Sequence, residues 1–405
     1  MAAPGKRLPQ AEFIALMAML FSTIAFSIDA MLPALPEIAA DVSPYAPNRA
    51  QLVLTSFVLG MGFGTFVTGP LSDAFGRKPV LLAGVGLYIL GALFGALAQS
   101  LELLLAARLL QGIGAAGPRI VSLAIIRDLY AGRTMARLMS LVMLIFSLVP
   151  VFAPALGALI SHFAGWRGLF ASFVIFALIS ALWVGLRQPE TLAPENRRPL
   201  APDTLASALC AVLAHPVVRR AILIQSLIFG ALFAMLSSTQ PIFDITFGQG
   251  DNFPYWFGGI SMVTASANVL NARLVMRLGM RRMVHRALIG GLTITGLVLA
   301  LFAARLLEGA PALAAYVLWQ ASLFFMIGLT LGNVGAIAME PMGHIAGMAA
   351  SVIGAVSTVA AVLIAAPLGL AFDGTPVPLA TGIFICLAGA LLLMHRIRHE
   401  PDGEA

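Results

Sequence analysis

The stretch Gly69-Pro-Leu-Ser-Asp-Ala-Phe-Gly-Arg-Lys78, followed by Pro79, joins two long apolar runs and packs charge, glycine and proline into a few residues. An echo of it, Ala272-Arg-Leu-Val-Met-Arg-Leu-Gly-Met-Arg281, lies between two apolar runs of the second half. Leu71 and Leu274, Gly76 and Gly279, and Lys78 and Arg281 are each separated by 203 positions, about half of the 405-residue chain. A hydrophilic joint repeated at half the chain length predicts two related halves.

Working outward from that joint, the chain is 60% hydrophobic and 10% charged, with mean hydropathy +0.96, against roughly 45–50% and 25% in globular domains. Disorder, collagen-like repeats and a disulfide scaffold are excluded, and Cys210 and Cys386 both sit in apolar runs. A helix crossing a bilayer core needs about 20 apolar residues. Such runs fall near 12–33, 50–72, 79–99, 101–126, 138–163, 166–186, 217–241, 255–277, 284–305, 311–336, 346–371 and 377–396. They lack strand alternation and are rich in Leu, Ala and Met, so barrel strands are excluded. The first run is too long for a signal core and ends in Leu32-Pro33 rather than a small-residue cleavage site, so it is expected to be retained. The predicted fold is an all-α membrane protein of twelve transmembrane helices in two six-helix halves, residues 1–186 and 217–405. A Pro-rich cytoplasmic linker, 187–216, carries Pro189, Pro194, Pro199 and Pro202. Secondary transporters are built from such repeats, with the substrate site where the halves meet.

The net charge of +6 would suggest an acidic partner in a soluble protein. Here all but five of the 24 basic residues, starting with Lys6 and Arg7 and including Arg198 in the linker, fall on one side of the twelve runs. Arg49, Arg167 and Arg305 fall on the other side, and Arg108 and Arg119 fall within a run. This bias predicts that both termini are cytoplasmic. Most of the excess charge is an orientation signal.

The Gly69–Pro79 stretch resembles the cytoplasmic signature of the major facilitator superfamily between its second and third helices. Arg108-Leu-Leu-Gln111-Gly112 is similar to the fourth-helix motif of that family, an arginine followed by Gln-Gly. Pro150-Val-Phe-Ala-Pro154-Ala-Leu-Gly157 resembles the fifth-helix motif of drug/proton antiporters, departing from it at Val149, Ala153 and Ala158 where glycines are usual. Ile28-Asp29-Ala-Met-Leu-Pro-Ala-Leu-Pro36, Arg127-Asp-Leu-Tyr-Ala-Gly-Arg133 and Gly343-His-Ile-Ala-Gly-Met-Ala-Ala-Ser351 together resemble the Bcr/CflA group, which includes bicyclomycin and phenicol exporters. The resemblance implies proton-driven efflux of small drug-like molecules across a bacterial inner membrane by alternating access. It also implies that Asp73, Arg77 and Lys78, joined by Asp128, form a conformational latch at the cytoplasmic ends of the helices. Solvated loop charge is the plain alternative for each of these four.

Asp29 is the one acidic residue within an apolar run, and such a carboxylate by default marks a proton relay, an ion path or a substrate contact. Placed near the outer end of its run, it would otherwise be wetted and would merely orient the Leu32-Pro33 exit. Arg108 lies at a similar depth, so Asp29 and Arg108 are the expected proton-coupling residues, either as a reversible pair or as a static one. Arg119 follows Arg108 by eleven residues, about 20° past three full helical turns, so both share a face with Gly112 and Ala115. Arg119 either lines a substrate cavity or snorkels to the cytoplasmic surface. Gln111, Gln225 and Asn268 complete the expected substrate cavity, although hydrogen bonding between helices is the commoner use of such residues. With one acidic and two basic residues inside the runs, neutral, zwitterionic or anionic compounds fit better than lipophilic dications.

No P-loop of the form GxxxxGK[ST] and no clustered His or Cys motif occurs, so an ATP-driven pump and a membrane metalloenzyme are without support, and no metal or cofactor is expected. The expected partners are a small-molecule substrate, protons and the lipid bilayer, with no nucleic acid, acting as a monomer. Export of an endogenous metabolite, such as a sugar or amino acid derivative, is the competing function.

Overall fold

The computed structural model describes residues 8–197, 200 and 202–398. Lys6, Arg7 and Arg198, used above for orientation, lie outside the described residues. Thirteen α-helices are described: α1 Gln10–Asp29, α2 Leu35–Val42, α3 Leu52–Phe75, α4 Arg77–Ala96, α5 Leu101–Leu129, α6 Gly132–Arg187, α7 Pro202–Ala214, α8 Pro216–Pro241, α9 Phe253–Leu278, α10 Met280–Ala303, α11 Gly309–Met339, α12 Ala346–Leu370 and α13 Val377–Arg398.

Twelve spans follow once two elements are resolved. The 56 residues of α6 hold two spans, because Gly165 breaks the helix with φ 65° and ψ 176°. Ten helical stretches are long and apolar enough to cross a membrane, with α6 counted once. The span α9 is absent from those ten because Pro254, Tyr255 and Trp256 at its outer end and Asn268 along it dilute its apolar character. Tyr and Trp at that position suit the membrane interface. The short helices α2 and α7 do not span.

The chain forms two compact units. The first comprises Met1–Tyr45 and Ser56–Leu205, the second Ala46–Thr55 and Ala206–Ala405. The linker expected at 187–216 is therefore not a bare connector. It contains the 13-residue α7, since between Pro202 and Pro216 the run DTLASALCAVLA holds neither Gly nor Pro and is dominated by Ala and Leu. Proline at the first position of α7 is compatible with a helix start, where its missing N–H removes nothing.

Within the first unit, α5 is the central helix, and it sits against α3 and α4 with almost no side chain between the backbones. A Cβ added at Gly112 would run into the Phe57 carbonyl, one at Gly60 into the Leu109 carbonyl, and one at Gly114 into the Tyr88 amide. Small residues permit this approach where apolar surface alone gives no drive for helices to associate in lipid.

In the second unit, α8 packs against α11, α12 and α13. Phe243, Phe253, Phe257, Tyr316 and Trp319 form a buried aromatic cluster, and Trp319 Nε1 donates to Thr295 Oγ1 at 3.1 Å. The segment Ala46–Thr55 belongs to this unit through polar contacts. Asn48 Nδ2 donates to the carbonyls of Phe372 at 2.7 Å and Leu370 at 3.3 Å, satisfying acceptors left open at and beyond the end of α12. Ser238 Oγ donates to Gln51 Oε1 at 3.2 Å.

Candidate functional site: a buried arginine network and a cytoplasmic latch

Asp29 is the last residue of α1 and is buried, with 5% of its surface exposed. Among the described residues no side chain hydrogen-bonds or ion-pairs with its carboxylate. Arg108, on α5, is fully buried, and its printed partners are neutral. Nη1 donates to Gln111 Oε1 at 2.7 Å, Nη2 donates to the Ser27 carbonyl at 3.0 Å, and the guanidinium lies over the Phe57 ring, 4.3 Å from its centroid. Ser27 Oγ donates to the Thr23 carbonyl at 2.6 Å and hydrogen-bonds Tyr88 Oη at 2.6 Å.

The structure thus does not join Asp29 to Arg108 directly, although both are buried in the first unit. The reason is angular. Ser27 faces α5, and a residue two positions further along an α-helix points roughly 200° away. Equal depth in the membrane does not imply a shared face. Gln111, expected to line a substrate cavity, spends its carbonyl on Arg108, and its Nε2 has no partner among the described residues. Ser27, Tyr88 and Phe57 escaped sequence reasoning, since a hydroxyl or a phenyl within an apolar run carries no signal of its own.

Arg119 is exposed, whereas Gly114 to Pro118 just before it and Val121 and Ser122 just after it are buried. Gln225 on α8 is half-buried with Oε1 lacking a partner among the described residues, and Asn268 on α9 is exposed. Both belong to the second unit. The other polar residues there bond between helices. Asn333 Nδ2 donates to Asn271 Oδ1 at 2.8 Å, and Gln320 Nε2 donates to Thr239 Oγ1 at 3.1 Å.

At the cytoplasmic end of the first unit, the four residues Asp73, Arg77, Lys78 and Asp128 do gather. Arg77 Nε donates to Asp128 Oδ2 at 3.0 Å, and Nη1 donates to Ser72 Oγ at 2.8 Å and to Asp73 Oδ1. Arg77 is buried, with two carboxylates and a hydroxyl around it. Lys78 turns the other way, its Nζ donating to the Gly185 carbonyl near the end of α6 at 2.7 Å. A fifth residue, Glu190 from the linker, closes the cluster and was invisible as anything but a solvated charge. Nearby, Glu12 of α1 accepts both nitrogens of the Arg187 fork, at 2.8 and 2.7 Å, and Trp183 Nε1 at 3.2 Å, tying α1 to the end of α6. Among the described residues no group of three or more His, Cys, Asp or Glu is arranged to hold a metal ion.

Comparison with known proteins gives one family. The family model described as Major Facilitator Superfamily matches residues 15–367. The chain is 30% identical over 381 residues to the uncharacterized MFS-type transporter YdgK of Bacillus subtilis, covering 93% of each. It is 34% identical over 277 residues to the bicyclomycin resistance protein homolog of Haemophilus influenzae, covering 68% of this chain and 69% of that one. It is 36% identical over 169 residues to the chloramphenicol resistance protein of Pseudomonas aeruginosa, covering 41% and 40%. Among solved structures, a D-xylose-proton symporter superposes with TM-score 0.76 at 15% identity, covering 96% of this chain and 97% of that one, a likeness of fold.

Proposed function

Because this chain belongs to the major facilitator superfamily, and is therefore a multi-pass membrane transporter of small molecules and not an enzyme, we propose that it exports drug-like compounds across the bacterial inner membrane by proton antiport and alternating access. The relatives named for bicyclomycin and chloramphenicol resistance support the substrate class. The single observation that supports proton coupling is Asp29, a carboxylate within a span, 5% exposed and without a cationic partner among the described residues. An anion in that setting is costly. Its proton occupancy would therefore differ between a closed state and a wetted one, and that difference is what couples a proton gradient to a conformational cycle.

In this proposal Arg108 acts on Asp29 through the chain rather than by direct pairing. By holding the Ser27 carbonyl, it sets the last turn of α1, on which Asp29 sits two residues later. Arg119 supplies positive charge for a substrate's anionic group, with Gln225 and Asn268 as hydrogen-bonding residues of the cavity. The Asp73, Arg77, Lys78 and Asp128 cluster stabilises one transport state. Both termini are cytoplasmic, and the working unit is a monomer.

The experiment is a resistance panel in an efflux-deficient host, with and without a protonophore, comparing chloramphenicol with cationic dyes. Protonophore-sensitive resistance to chloramphenicol is the expected outcome, with Asp29→Asn abolishing substrate-linked proton movement. Resistance chiefly to quaternary ammonium dyes would overturn the substrate class, and unchanged proton movement in Asp29→Asn would remove Asp29 from coupling.

A further inference from the structure

We infer that Glu190, three residues beyond the end of α6, is a positioning residue for the latch, holding the Gly76 turn in the register that sets Arg77 between Asp73 and Asp128. Its two carboxylate oxygens take the first two amides of α4. Oε1 accepts from the Arg77 N–H and Oε2 from the Lys78 N–H, each at 3.0 Å. Those amides have no partner within a helix, and the helix dipole favours negative charge beside them. Oε1 also accepts from the N–H groups of Thr191 at 2.8 Å and Leu192 at 3.0 Å. The carboxylate is thereby fixed to its own turn as well as to α4, and the contact is stiff at both ends.

The linker reaches the cluster a second time. Thr191 Oγ1 donates at 2.9 Å to Asp128 Oδ2, the same oxygen that receives Arg77 Nε. One short segment, Glu190-Thr191, therefore touches both the backbone that carries the arginine and the carboxylate that receives it.

Gly76 shows that this contact is built into the turn. Its φ is +105°, and a Cβ there would lie 2.7 Å from Glu190 Oε2, so the carboxylate has room only because residue 76 has no side chain. The equivalent Gly279 also has positive φ, +76°, yet a Cβ there would meet nothing within 4 Å. The turn itself does not need a carboxylate. Glu190 is an addition to the first copy, and with Lys78 bound to the Gly185 carbonyl it makes the cytoplasmic end of α6 a second support for Arg77.

The test uses the full-length protein in lipid nanodiscs, with Cys210 and Cys386 replaced by serine and one cysteine introduced by Ser122→Cys. Ser122 is buried in the cytoplasmic half of α5. Two quantities are read: amide hydrogen exchange at Arg77 and Lys78, and the labelling rate of the introduced cysteine by a membrane-impermeant maleimide. Glu190→Gln is expected to raise exchange at both amides by about tenfold, as loss of a charge-assisted cap permits, and to raise the labelling rate with it. Glu190→Asp, which keeps the charge and shortens the reach, is expected to fall between.

Faster exchange with labelling at the parental rate would reduce Glu190 to a helix cap and overturn the positioning role. Unchanged exchange would overturn the cap as well. The inference rests on the latch proposed above, so Arg77→Ala is run alongside. If Arg77→Ala does not change labelling, the latch itself fails; if it does and Glu190→Gln does not, only the inference about Glu190 fails. Should Glu190→Gln not reach the membrane, Glu190→Asp and Thr191→Ala carry the comparison, and parental labelling in both overturns the proposal.

Discussion

The turns at Gly76 and Gly279 share backbone, position and origin, and they differ in what surrounds them. Each glycine precedes a long helix, and ψ is near 155° in both, 158° at Gly76 and 153° at Gly279. At the first, a buried arginine is held by two carboxylates and a serine, and a linker carboxylate caps the helix. At the second, Met276 stands where Asp73 would fall and is exposed, and Arg281 meets Glu340 at 3.5 Å with both side chains partly in solvent. The repeated backbone is thus the older constraint, and the ionic cluster is specific to one copy. Turn geometry survives duplication because φ and ψ depend on local residues, whereas a latch needs partners from α5 and from beyond α6.

The largest expected effect breaks the first turn alone. Gly76→Ala forces a side chain into a conformation nearly reserved for glycine, a cost of about 1–3 kcal/mol, and adds the collision with Glu190. Gly279→Ala carries only the conformational cost. Apparent melting temperature and membrane yield should therefore fall further for Gly76→Ala, and equal losses would remove the asymmetry between the copies.

Next in size, Arg77→Ala leaves Asp73 and Asp128 without their cation. The full cost of orphaning a buried pair is about 3–5 kcal/mol; because Asp73 is 44% exposed at its side chain, screening reduces this to about 2 kcal/mol. The matching Arg281→Ala removes an exposed pair worth about 0–1 kcal/mol. Thermal unfolding of the two variants side by side checks the ordering. Smallest of all, Thr191→Ala loses one hydrogen bond to Asp128, about 1 kcal/mol. It should lower stability slightly without altering the Arg281 side, and a loss as large as that of Arg77→Ala would show that Thr191 does more than orient Asp128.

The spans were legible because bilayer thickness imposes a length that composition reveals, and even the break near Gly165 was anticipated as a gap between 163 and 166. The helix α7 was not, since four prolines in fifteen positions outweighed the Ala and Leu between Pro202 and Pro216. The cluster of Asp73, Arg77, Lys78 and Asp128 was readable from the half-chain echo and the motif. Glu190 was not, because it meets Arg77 across 113 positions, and only the folded path of α6 brings them together. For Asp29 and Arg108 the sequence supplied depth and withheld azimuth. Depth follows from counting residues along a span, whereas the side of the helix that meets a neighbour depends on which helix that neighbour is, and Ser27 held that place.

The glycine contacts of α5 with α3 and α4 carry a mechanical consequence. Where backbone rests on backbone, neither helix can slide or roll past the other, since the first step of either motion drives a carbonyl into its neighbour. These three helices are keyed together and turn as one piece. Compliance in this half then belongs to sites with clearance, such as Gly132 at the start of α6, where an added methyl would meet open space.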